Sequence, residues 1–171
     1  GWTIGSTSIV RFLMAPLRGY QILDLTLLLP GPLATQILRD MGANVTKIEP
    51  PGMGDLMQYW PPLIGNVSAI YLAINRGKQT VTIDLKGKEG RARFESLAKE
   101  ADVVVEGFRP GVLERLGIGY RQLSELNPKI ILCSITGYGQ CGPHSQRAGH
   151  DIGYQAVAGV LSLAGGDTPS N

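Results

Sequence analysis

The chain holds only two histidines, and one of them has neighbours suited to acid–base chemistry. In Arg147-Ala-Gly-His-Asp-Ile-Gly-Tyr154, His150 follows Gly149 and stands at the start of an apolar run, Ile152 to Leu163. Ile152, Ala156, Gly159, Val160 and Leu163 fall close to one face at helical spacing, so the run reads as a helix beginning at the histidine. An imidazole at a helix start sits beside unpaired backbone N–H groups and the positive dipole end. That setting favours the neutral ring, which can serve as a base near pH 7. The plainer reading, a histidine that merely caps or packs, is the one spacing alone favours, because helix starts often carry polar residues. His150-Asp151 is not a dyad in itself, since adjacent helical side chains point apart.

A second constellation is Gly107-Phe-Arg-Pro-Gly111, with Arg115 one to two turns further on. An aromatic face with guanidinium groups nearby suits a purine and its phosphates. A solvated turn with one anchoring aromatic fits the same residues. Asn75-Arg-Gly-Lys78 is a basic turn before a strand; most such turns are solvated, but Asn75 and Lys78 count among the candidate cofactor contacts.

Other chemistries are disfavoured. Gly137-Tyr-Gly-Gln-Cys-Gly142 has the letters of a dinucleotide loop, yet Pro143 follows and no strand-ending acid lies about 20 residues on, which argues against NAD. No phosphate-binding lysine loop and no nucleophile elbow are present. Cys133, Cys141, His144 and His150 are spaced too irregularly for a metal, and a strand should bury Cys133.

The elements that position these residues alternate. Tyr20–Thr26 reads as a strand, followed by a helix from about Leu33 to Met41 with Leu33, Ile37 and Met41 on one apolar stripe. Asn44–Glu49 is a second strand, completing a right-handed βαβ unit. Pro50 to Asn66 reads as an ordered surface loop, and a short helix over Ser68–Asn75 precedes a strand over Gln79–Asp84. Gly90 to Ala101 is a helix, Asp102–Glu106 a buried strand nearly all valine, and Tyr120–Leu126 a helix before the strand Lys129–Ser134. The alternation predicts an α/β fold with an open, doubly wound, mainly parallel sheet and helices on both faces. Ligands in such sheets gather at the carboxyl ends of the strands.

Composition agrees with an ordinary globular protein: 43% hydrophobic, 18% charged, and a net charge of +2 that is too small to argue for nucleic acid. No apolar run reaches the length of a membrane span. Two cysteines fit a reducing compartment. Residues 1–19 read as a disordered lead-in, a tag or a transit-like segment, and 20–171 as one portion of a larger domain whose end at Asn171 looks cut short.

Taken together, Arg18–Thr26, Gly31-Pro32, Gly42–Glu49, Asn75–Lys78, Val105–Leu113 and Ser134–Gln140 resemble the N-terminal part of the family III (CaiB/BaiF-type) CoA-transferases. That family includes formyl-CoA and carnitine CoA-transferases and α-methylacyl-CoA racemases. The resemblance implies a Rossmann-like large domain in a longer chain, interlocked homodimers, and coenzyme A at the strand ends. It places CoA contacts on Leu28, Leu29, Pro30, Gly107, Phe108 and Arg115, with Arg109 beside them. Pro50 departs from it, standing where several members have arginine. The implied activity is CoA transfer between an acyl-CoA and a carboxylic acid through an aspartyl mixed anhydride, the aspartate lying beyond Asn171. In the racemases a histidine in Gly-His-Asp is an acid/base residue, and His150 matches it. Racemisation with His150 at the α-proton is therefore the alternative activity, and a non-catalytic CoA-binding fragment is a third reading. The resemblance calls for no metal and leaves the compartment, cytoplasm or mitochondrion, open.

Overall fold

A computed structural model describes residues 15–164 of the chain. The described residues divide into two compact units, one ending at Ile135 and the other beginning at Thr136. In the first, β1 (Gln21–Asp24) leads to α1 (Pro30–Asp40) and β2 (Asn44–Glu49). A single 3-10 turn (Leu56–Tyr59), a hairpin of β3 (Leu63–Ile64) and β4 (Val67–Ser68), and α2 (Ala69–Asn75) follow. Then come β5 (Gln79–Thr82), α3 (Lys88–Glu100), β6 (Val103–Glu106), α4 (Val112–Leu116), α5 (Tyr120–Leu126) and β7 (Ile131–Ser134).

Five strands form one sheet in the order β5-β2-β1-β6-β7, and every neighbouring pair is parallel. Ile22 pairs with Val45 on one side and Val103 on the other, which fixes the register of the three central strands. Successive residues point to opposite faces, and two core clusters result. Leu23, Ile48 and Val104 pack with Phe94 and Ala98 of α3 and Leu123 of α5. Ile22, Val45 and Val105 face the other way, against Leu38 of α1. The α/β fold with helices on both faces is thus present. The strand order reverses between β1 and β6, so the carboxyl ends of those two strands flank the crevice where an open α/β sheet receives a ligand.

Four expectations are corrected. Leu33, Ile37 and Met41 do not face the sheet: all three are exposed, and α1 buries Gly31, Pro32, Thr35 and Gln36 instead. The reason lies on β1, where buried Asp24 demands hydrogen-bond donors, and Thr35 supplies one. Cys133 is exposed because β7 is an edge strand whose Ile131 and Cys133 point to an open side. Residues 15–19, assigned to the lead-in, include Leu17, which packs on the core and donates its N–H to Met41; residues 1–14 lie outside the described residues. The loop after β2 is more than surface, since it buries Asp55 and Met57.

The second unit contains α6 (Asp151–Val157) and a 3-10 turn (Val160–Ala164). The apolar run is therefore not one helix; Gly159, with φ +77°, breaks it, and Ile152, Val157, Val160 and Leu163 are exposed. Among the described residues no helix is long and apolar enough to cross a membrane.

Candidate functional site

The corner from β1 into α1 is held by buried charge. Asp24 accepts the Thr26 N–H at 3.0 Å, the hydroxyls of Thr26 and Thr35, and the Lys78 ammonium at 3.1 Å. Lys78 also donates to Pro32 carbonyl oxygen at 2.8 Å and to Asn75 Oδ1 at 3.0 Å. Burial pushes the Lys78 ammonium below its ordinary value, Asp24 opposing this and Lys47 adding to it. Lys47 forms a second pair with Asp55 at 3.0 Å, both side chains fully buried, and donates to the Thr26 carbonyl at 2.9 Å. Asp55 in turn accepts the N–H groups of Leu28 and Met57, each at 3.0 Å. Leu28 takes a left-handed φ of +65°, which brings Leu28, Leu29 and Pro30 to the surface at the head of α1. Gly31 must be glycine: a Cβ there would fall 2.2 Å from Thr26 Cβ.

The neighbouring strand ends in the same fashion. Buried Glu106 accepts the Phe108 N–H at 2.7 Å, turning Gly107 outward and Phe108 back over the sheet. Phe108 roofs a cavity of about 290 Å³ with Leu25, Leu27, Ile48, Ile83, Val112 and Leu116, to which Glu49, Asp84 and Lys86 bring polar atoms. Arg115 leaves α4 so that its guanidinium lies 3.4 Å from where a Gly111 Cβ would be. Glu49 accepts the Tyr71 hydroxyl at 2.8 Å. Burial first, and Glu49 second, push the Tyr71 phenol well above its usual range.

Leu28, Leu29 and Pro30 thus follow the end of β1, and Gly107, Phe108 and Arg109 follow the end of β6, while Arg115 lies on α4 with its guanidinium beside Gly111. Asn75 is buried and the Lys78 side chain is fully buried, Lys78 donating to Asp24 and to Asn75 Oδ1. The Lys78 ammonium is shared among four internal acceptors, Asp24, the Pro32 carbonyl, Thr35 and Asn75. Asp24, Lys47, Asp55 and Glu106 were not singled out from the sequence. For Asp24, Lys47 and Glu106 a signal existed: charged residues inside strands expected to be buried on both faces.

In the second unit His150 caps α6 in extended conformation (φ −127°), is exposed, and makes no side-chain capping bond. Its backbone is braced by tyrosine. The Tyr154 hydroxyl donates to the Gly149 carbonyl at 2.7 Å, and Tyr138 meets the Tyr154 ring edge-on at 5.1 Å. A Cβ on Gly149 would lie 2.6 Å from that ring, so a side chain there displaces the ring. Among the described residues no cluster of His, Cys, Asp or Glu could hold a metal.

A five-stranded parallel sheet whose order reverses between β1 and β6, with Phe108 lining a cavity at the strand ends, defines a doubly wound α/β domain. The profile of CoA-transferase family III matches residues 17–171, and the chain belongs to that family. It is 48% identical over 151 residues to the succinyl-CoA:glutarate CoA-transferase of Homo sapiens, covering 88% of this chain and 34% of that protein. It is 41% identical to the acetyl-CoA:oxalate CoA-transferase of Acetobacter aceti, covering 88% and 39%. The crystal structure of a CAIB/BAIF family protein from Brucella suis superposes with TM-score 0.85 at 40% identity, over 92% of this chain and 43% of that one. The chain therefore spans between a third and two fifths of the length of these curated relatives.

Proposed function

We propose that the whole protein transfers coenzyme A between an acyl-CoA and a carboxylic acid, and that the nucleotide end of CoA occupies the cavity beneath Phe108. The observation that carries the reading is the placement of that cavity at the carboxyl ends of β1, β2, β5 and β6. Its apolar floor suits a purine face, and Arg115 and Lys86 suit phosphates. Arg109, exposed beside Phe108, adds a further cation. The Leu28–Pro30 bend borders the same reversal and contacts the acyl-CoA; Gly107 leaves room for its approach. In this reading an aspartate outside residues 1–171 attacks the thioester carbonyl, its C–S bond breaks, and CoA leaves as thiolate. The thiolate attacks the aspartyl carbonyl of the resulting mixed anhydride and releases the donor acid. The acceptor carboxylate then displaces CoA from the aspartyl thioester, and the thiolate takes the acceptor's acyl group from the second anhydride, freeing the aspartate. The resemblance supports an interlocked homodimer.

His150 is exposed and makes no capping bond, which supports a second reading as an acid/base at the α-carbon. The two are separated by incubating the full-length protein with a 2-methylacyl-CoA in deuterated water without an acceptor. α-Proton exchange abolished by His150→Ala establishes racemisation. No exchange, with CoA passing from succinyl-CoA to glutarate, establishes transfer. For the cavity, Phe108→Ala is expected to weaken CoA binding about tenfold by titration calorimetry, as stacking and apolar contacts of roughly 1–3 kcal/mol are lost.

A further inference from the structure

We infer that Lys47 and Asp55 are positioning residues for acyl-CoA binding: their ion pair holds Leu28 in the left-handed conformation that presents Leu28–Pro30 at the crevice. The inference rests on the assignment of that bend to acyl-CoA. Neither side chain lines the cavity, and neither is exposed. Asp55 receives the Leu28 N–H on both carboxylate oxygens, at 3.0 and 3.2 Å. Lys47 links that carboxylate, at 3.0 Å, to the carbonyl of Thr26 at 2.9 Å. One ion pair thus grips the backbone on either side of Leu27.

The grip has a purpose that stability does not explain. A buried ion pair is commonly no better for stability than apolar residues of the same volume. A branched side chain at φ +65° is disfavoured and persists only where its surroundings over-determine it. Asp55 also reaches the site from a distance in sequence, as the capping residue of the 3-10 turn after β2. The loop following β2 therefore sets the shape of the loop following β1. Removing the carboxylate frees Leu28 to relax to negative φ, which withdraws the presented backbone.

The experiment compares Leu28→Gly with Leu28→Ala in the full-length protein, with Asp55 intact and with Asp55→Asn, reading CoA affinity by titration calorimetry. Both substitutions remove the isobutyl group; only glycine holds φ +65° without help. With Asp55 intact the two are expected to bind CoA within about twofold of each other, and with Asp55→Asn glycine is expected to bind about fivefold tighter than alanine. Asp55→Asn alone is expected to weaken binding by about fivefold or more, with the far-UV spectrum unchanged. Equal binding by glycine and alanine in the Asp55→Asn background, or wild-type affinity in Asp55→Asn, overturns the inference. Where Asp55→Asn does not fold, Asp55→Glu keeps the charge beside Lys47 but displaces the carboxylate, and the same criterion applies. A wild-type protein that binds no CoA overturns the functional reading instead.

Discussion

Toward α3 and α5 the sheet buries Leu23, Ile48, Phe94, Val104 and Leu123, an apolar face of ordinary composition. Toward α1 the apolar cluster is small, and the same burial is given to Asp24, Thr26, Thr35, Gln36 and Lys47. The two faces share one backbone, so the difference is one of side-chain chemistry. The apolar face gains from removing area from water and tolerates any shape that fills it. The polar face gains little net stability from its ion pairs, but each hydrogen bond has a direction and a length. A protein that must hold a loop at fixed geometry uses the second kind of packing where the loop begins. That is where it is found, beneath Thr26–Gly31.

The comparison is tested first by removing one central group from each face. Phe94→Ala, at a fully buried site, is expected to cost about 3–5 kcal/mol through its cavity. Asp24→Ala is expected to cost about as much, 3–5 kcal/mol, by leaving the Lys78 ammonium buried and unpaired. Denaturation followed against pH separates the causes. Lys78 is held below its ordinary 10.5 in the fold, so the unfolded chain binds more protons, and stability rises as pH climbs toward 10.5. The Asp24→Ala deficit should shrink over that rise, and the Phe94→Ala deficit should stay constant.

Smaller effects probe how rigid the polar face is against the second unit. Gly31→Ala forces a methyl onto Thr26, itself fixed by Asp24, and is expected to cost about 1–3 kcal/mol. Gly149→Ala drives its methyl against the Tyr154 ring and the Tyr138 hydroxyl, groups that can rotate away, so thermal melting should register under about 1 kcal/mol. Tyr71→Phe loses one hydrogen bond to Glu49, worth about 1 kcal/mol at pH 7. Because the folded phenol is raised above its ordinary 10.0, wild-type stability falls as pH passes 10.0, and the gap to Tyr71→Phe should close there. Last, Ile37→Gln should change stability by less than about 0.5 kcal/mol, since Ile37 is 53% exposed. A cost of several kcal/mol would restore the stripe reading of α1.

Much of the fold was legible because its signals are local. The range of β2 was read residue for residue, and α5 likewise, as Tyr120 to Leu126 has turn signals at both ends. Alternation located the strand ends, whereas Leu28–Pro30, Gly107, Phe108 and Arg115 were named as CoA contacts only through the resemblance to the family. What failed were statements about which side faces in. The α1 stripe has textual periodicity but the buried acid on β1 chose the other face, and Cys133 looked buried until β7 proved to be an edge strand.

The amino-acid order by itself determined an alternating α/β chain, the positions of its strand ends, and the residue types gathered at them, because propensity and hydrophobic period act over a few residues. Only the tertiary structure decided that β1 and β6 are neighbours, that Lys78 pairs with Asp24, and that Asp55 reaches back to Leu28. Those contacts join groups 27 to more than 50 residues apart. A buried charge selects its partner by distance and direction in the folded chain, which no local pattern encodes.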